Sequence, residues 1–149
     1  MKILLIRPWV NKHITTVRNF LFGEPMGLEC VATVLKEMGC EVMVADFMVE
    51  TKGSVDAYLL SFAPDAVGIT SQCTDVENVK HIAKIIKSHS PTMPVWVGGV
   101  QATCFPDCYF VAEIDYVFKS TTRANIKSFV DELSGAAAKS RIDGIYSKH

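Results

Sequence analysis

The chain has no stretch of 18 or more apolar residues, so its sequence excludes a membrane-spanning helix. It has no surplus of charge either: 15 Lys and Arg stand against 16 Asp and Glu in 149 residues, a net −1. Nucleic-acid binders usually carry a basic patch or a pI above about 9, so the charge balance disfavours that class. Cysteine is sparse and odd in number: Cys30, Cys40, Cys73, Cys104 and Cys108 are spread along the chain. A chain of this length buries roughly 68–70% of the surface its unfolded form exposes, so it folds without crosslinks or structural metal. Unpaired, scattered thiols predict a reduced, cytoplasmic protein. The amino terminus is not expected to be a leader: one charge, Lys2, and a short apolar run do not make the roughly 7–15-residue core and cleavage site of a signal peptide.

Motifs are missing too. There is no Gly-x-x-x-x-Gly-Lys-Ser phosphate loop and no Gly-x-Gly-x-x-Gly after the first apolar run, which leaves nucleotide-dependent catalysis without support. His13, His81, His89 and His149 make no zinc site by spacing. No paired carboxylates and no Ser/His/Asp order stand out, and there is neither an internal repeat nor a low-complexity segment.

What the chain does have is alternation. Lys2–Arg7 is a continuous Ile/Leu run, as a strand buried on both faces requires. A polar, aromatic-containing loop from Trp9 to Pro25 follows, longer than usual, and long loops in compact domains are often functional. Met26–Met38 carries Leu28, Val31, Ala32, Leu35 and Met38 at helical spacing, with Pro25 before it and Gly39 to stop it. Strands are then predicted over 41–47, 65–70, 93–97 and 114–118. Helices are predicted over 55–62, 75–88 and 122–133, with a short one at 106–112. Strands separated by helices predict parallel β-α-β units. The fold class is therefore α/β: one doubly wound, Rossmann-like or flavodoxin-like domain over 1–134, with a five-stranded parallel sheet. The tail, 135–149, reads as a linker with a candidate edge strand at 142–146.

Ligands of such sheets bind outside the carboxyl ends of the strands, where strand order reverses. The loop after the first strand, Thr70–Thr74, Gly98–Thr103 and Lys119–Thr122 all fall on that rim and are rich in Gly, Ser and Thr. Glycine admits close approach to the backbone, and hydroxyls donate and accept hydrogen bonds. The same residue types also cap helices, so each stretch has a purely local reading beside the binding one.

Four segments in order resemble the cobalamin-binding domain found ahead of many radical S-adenosylmethionine enzymes. They are the strand into Arg7-Pro8, Glu24-Pro25-Met26-Gly27-Leu28 opening a helix that ends Met38-Gly39, Pro64–Thr70, and Val97–Thr103 with Ile114–Val117 beyond it. The resemblance spans about residues 1–134. It implies a cobalamin held against the carboxyl edge of the sheet, its corrin ring over the first loop. Its nucleotide tail would run in a slot between the third and fourth strand segments. Thr70 and Gln72 take the serine and leucine positions of the family's Ser-x-Leu element, and Gly98 and Gly99 match its double glycine. The cofactor-contact set on this reading is Trp9, Asn11, Thr70, Ser71, Gln72, Gly98, Gly99, Val100, Gln101, Thr103 and Ser120. The cobalt-binding candidate is His13, placed where methyl-carrying cobalamin proteins have Asp-x-His-x-x-Gly; here Asn11 and Thr16 replace the Asp and Gly. Trp9, Phe20, Leu21 and Phe22 either cover the ring or pin the loop to the core.

The sequence also departs from that family. Cys104 and Cys108 have the first spacing of the radical enzymes' Cys-x3-Cys-x2-Cys, but Val111 fills the third position, so radical chemistry is not encoded here. The family's acidic stretch after the fifth strand is replaced by Lys119-Ser120-Thr121-Thr122. The leading expectation is a stand-alone corrinoid carrier without catalysis of its own, serving a partner enzyme on another chain. The alternatives are a haem-binding sensor, with His13 or Cys73 on the iron, and a cofactor-free interaction scaffold.

Overall fold

The computed structural model describes residues 1–9, 24–50, 52–136 and 141–148. Strand β1 (Lys2–Arg7) shows why its run carries no polar alternation. Leu4 and Ile6 enter one core and Ile3 and Leu5 the other, so both faces of the strand are dry. The order continues α1 (Met26–Glu37), β2 (Glu41–Asp46), α2 (Val55–Phe62), β3 (Ala66–Thr70), α3 (Val76–His89), β4 (Val95–Gly98) and α4 (Val100–Cys104). A 3-10 turn (Pro106–Tyr109), β5 (Tyr116–Phe118), α5 (Arg123–Leu133) and β6 (Ile145–Ser147) complete it.

Among the described residues the strands form one six-stranded sheet in the order β2-β1-β3-β4-β5-β6. The first five are parallel, as the α/β alternation predicts. The sixth differs from the all-parallel expectation: β6 runs antiparallel to β5, pairing Val117 with Tyr146. The Gly144 carbonyl fixes its entry by accepting from the backbone N–H of Lys119 (2.9 Å) and of Ser120 (3.1 Å). α4 was not foreseen, because five residues are too few for helical periodicity to show.

Two apolar layers cover the sheet. α2, α3 and α4 pack over Leu4, Ile6, Val67, Ile69, Val95 and Val97, and α1 and α5 pack over the opposite face. The amino edge of the sheet is tied shut. Asp65 accepts from the Lys2 N–H at 2.7 Å, and Asp115 accepts from the Val95 N–H at 2.8 Å while pairing with Lys87 at 2.6 Å. At the carboxyl edge no carboxylate makes such a tie between β3, β4 and β5 among the described residues; there the Ser71 N–H donates to the Gly98 carbonyl at 2.8 Å. Order reverses beside β1, whose neighbours are β2 and β3, and that is the ligand-binding crevice of this topology.

Candidate functional site

A cavity of about 100 Å³, open at the rim, lies between the sheet and the pair α1 and α5. Its walls are Leu28 and Leu35 of α1, Trp96 and Phe118 of the strands, and Ile126 and Phe129 of α5. Thr70, Gly98, Gly99 and Thr121 lie toward the carboxyl rim. No lining residue among those described is ionisable, so these walls suit an uncharged, largely apolar group with polar atoms only near the rim. α5 is set beside it by a side-chain cap: Thr122 Oγ1 accepts from the Asn125 N–H at 3.2 Å.

The two adjacent glycines have different reasons to be glycine. At Gly99 φ is +101°, and a Cβ there would stand 2.6 Å from the Ser71 carbonyl oxygen and 2.9 Å from the Ser71 nitrogen. The protein's own backbone forbids a side chain at that position. At Gly98 a Cβ would meet Phe118 Cβ at 3.7 Å and Thr121 Oγ1 at 3.8 Å, which is ordinary contact. The described protein therefore has room for a side chain at 98, and that room is cavity. Gly27, in the first turn of α1, lines the same cavity, and a Cβ added to it would meet no described atom within 4 Å.

The residues expected to contact a cofactor divide into four groups. Thr70, Gly98 and Gly99 come together at the cavity. Trp9, Gln72, Val100, Gln101, Thr103 and Ser120 lie along the rim without lining it. Trp9 stacks on Phe47 with centroids 4.6 Å apart and 11° between planes, and its carbonyl accepts from Asn78 Nδ2 at 2.8 Å. Thr103 Oγ1 donates back to the Gly99 carbonyl at 3.1 Å. The Gln101 N–H donates to the Ser71 carbonyl at 3.2 Å, and the Ser120 carbonyl accepts from Asn125 Nδ2 at 3.0 Å. Ser71 turns away from the cavity. It is fully buried with its hydroxyl against the Tyr109 hydroxyl, and its N–H donates to the Gly98 carbonyl at 2.8 Å. Asn11, His13, Phe20, Leu21 and Phe22 lie outside the described residues. Among the described residues no three His, Cys, Asp or Glu side chains gather into a metal site.

The rim's titratable groups sit away from the cavity. Arg7 and Asp46, at the carboxyl ends of β1 and β2, pair at 3.1 Å. Asp75 opens α3; its partial burial pushes its carboxyl above the usual range, against the pull of hydrogen bonds from Thr74 and the Gln72 N–H. Burial raises the Tyr109 hydroxyl to about 12, so it stays a neutral partner for Ser71.

Sequence reasoning missed Gly68, Trp96, Phe118 and Phe129. One signal was present: a tryptophan two residues before a double glycine, in a strand otherwise made of valine.

The family model described as the B12 binding domain matches residues 14–127. An uncharacterized methyltransferase of Pyrococcus horikoshii is 30% identical over 138 residues, covering 90% of this chain and 30% of that protein. The chain spans about 30% of the length of the curated relatives it matches. Among solved structures, the radical S-adenosylmethionine methyltransferase TsrM of Kitasatospora setae, with cobalamin and a 4Fe–4S cluster bound, superposes with a TM-score of 0.81 at 19% identity. That match covers 99% of this chain and 29% of TsrM. A cobalamin-binding protein of Desulfitobacterium hafniense superposes with a TM-score of 0.61 at 15% identity, over 87% of this chain and 57% of that one. These two likenesses show the fold, and the family match shows more: the chain belongs to the B12-binding domain family, whose cofactor is cobalamin.

Proposed function

We propose that this chain is a corrinoid-binding module that holds cobalamin along the carboxyl edge of its sheet. The nucleotide tail enters the cavity between α1 and α5, and the corrin lies across the rim. The observation that carries this reading is Gly98. Among the described residues nothing requires a glycine there and no ionisable group lines the cavity it borders, which supports a passage for a bound group.

On this reading each part of the rim has a task. Gly98 and Gly99 let the tail pass the end of β4. The Thr70 and Thr121 hydroxyls flank that passage and offer hydrogen bonds to the polar link between ring and base. Leu28, Leu35 and Phe129 exclude water from the base. Trp9, braced on Phe47, gives the rim an apolar shoulder at the end of β1. Bound cobalamin supplies cobalt–carbon chemistry, and the protein supplies orientation and a dry face. The methyltransferases among the relatives support a role in methyl transfer or radical chemistry carried out with a partner enzyme.

Gel filtration with hydroxocobalamin tests the reading: corrin absorbance should co-elute with the protein. Gly98→Leu should fill the passage and lower affinity by about tenfold or more, with thermal stability near that of the parent. Full affinity in a folded Gly98→Leu variant would remove the slot from the assignment.

A further inference from the structure

The cavity has a floor that no rim motif announces. Gly68 of β3 and Trp96 of β4 are direct neighbours in the parallel ladder. A Cβ on Gly68 would stand 2.4 Å from both Cε2 and Cζ2 of the Trp96 indole and 2.8 Å from its Nε1. The indole therefore occupies the place a side chain at 68 would take. Any other residue there would have to lift it toward the cavity. Phe129 meets the indole edge-on at 5.0 Å, and Phe118 lies 6.4 Å away, tilted by 41°.

Trp96 is only 6% exposed and lines the cavity. Its Nε1–H has no hydrogen-bond partner among the described residues. No fully enclosed side-chain nitrogen or oxygen among them lacks a partner, so this N–H retains some opening, and the cavity is what it borders. An indole N–H can only donate. A nearly buried, unmatched donor beside an otherwise apolar cavity points to an acceptor on whatever enters.

We propose that Trp96, seated on Gly68, is the specificity-determining residue for the aromatic base at the end of the corrinoid tail. The slot takes a flat, mostly apolar nitrogen heterocycle of the benzimidazole class, and Trp96 Nε1–H donates to its ring nitrogen. This rests on the reading that the tail occupies the slot. A base withdrawn there is away from cobalt, so its ring nitrogen is an acceptor that has lost water and needs a donor. A purine base brings an exocyclic amine and further ring nitrogens, and Leu28, Phe118 and Ile126 offer these nothing.

Equilibrium dialysis of the whole chain against cobalamin, its adenine-base analogue and cobinamide, which has no base, tests this. The parent protein should prefer cobalamin over each of the others by about tenfold or more. Trp96→Phe keeps an apolar ring but removes the donor. It should lower cobalamin affinity about three- to tenfold and leave cobinamide affinity unchanged. Gly68→Ala should bring cobalamin down to the cobinamide level by lifting the indole. Affinities of the parent for cobalamin and the adenine analogue within about twofold of each other would overturn the proposal. So would a folded Trp96→Phe variant that keeps the parent's cobalamin-to-cobinamide ratio. Equal binding of cobalamin and cobinamide by the parent removes the base assignment and leaves the module standing. Binding of neither removes both.

Discussion

β4 sends Val95 and Val97 to one face of the sheet and Trp96 and Gly98 to the other, and β3 likewise parts Val67 and Ile69 from Ala66 and Gly68. The face under α2 and α3 receives branched aliphatics of similar size, which interdigitate and fill it. The face under α1 and α5 receives the extremes, glycine and alanine beside large aromatics, which leave a hollow at the carboxyl end. Both faces come from the same short strands by alternation, so one residue of register separates packed core from slot. A hollow of this kind is made by residue size along a strand and needs no special loop.

The largest expected effect breaks the filled face. Ile82→Ala, on α3 and fully buried, should lower stability by about 2–5 kcal/mol in urea unfolding. Leu28→Ala in the cavity wall should lower it by less, about 2 kcal/mol or under, because that wall already lacks contacts on one side. Equal losses at the two sites would mean the faces are packed alike.

The next test divides the glycine pair. Gly99→Ala should lower stability by about 2–3 kcal/mol, since it adds a Cβ against Ser71 at positive φ. Gly98→Ala should stay within about 1 kcal/mol of the parent. A stability loss at 98 matching that at 99 would show that the fold requires both glycines.

The smallest effect compares one tyrosine from each face. Burial, first among the causes, raises Tyr109 and Tyr116 to about 12 from 10.0, and the Glu132 carboxylate adds to the rise at Tyr116. A raised folded pKa favours the neutral phenol, so this stability is complete below pH 10.0 and is lost as pH climbs toward about 12. The thermal midpoint should fall across that window, and Tyr116→Phe should flatten the fall. An unchanged slope in that variant would deny Tyr116 a share.

Much of the architecture was legible because periodicity reports burial. The Ile/Leu run of β1 and the spaced apolar residues of α1 and α3 can be read without knowing their neighbours. The sixth strand's direction was not legible, since three residues carry no sign of which way they pair. The rim was legible as a place: Thr70, Gly98 and Gly99 do meet there. The separate duties of the two glycines were not, because one answers to a φ angle and the other to empty volume. Gly68 and Trp96 were invisible as a pair, since their contact exists only in the register of β3 against β4. Ser71 looked like a rim hydroxyl until Tyr109, far along the chain, claimed it.

The two outer strands bear on how the molecule behaves at high concentration. β6 offers only three residues along its outer side, with Lys148 beside it, too short a template for another chain to extend the sheet. β2 is twice as long, but it opens on the exposed Glu41, so a second copy adding in parallel brings that carboxylate near its counterpart. Lateral growth into fibrils is thus discouraged at both margins by different means, brevity at one and like charge at the other.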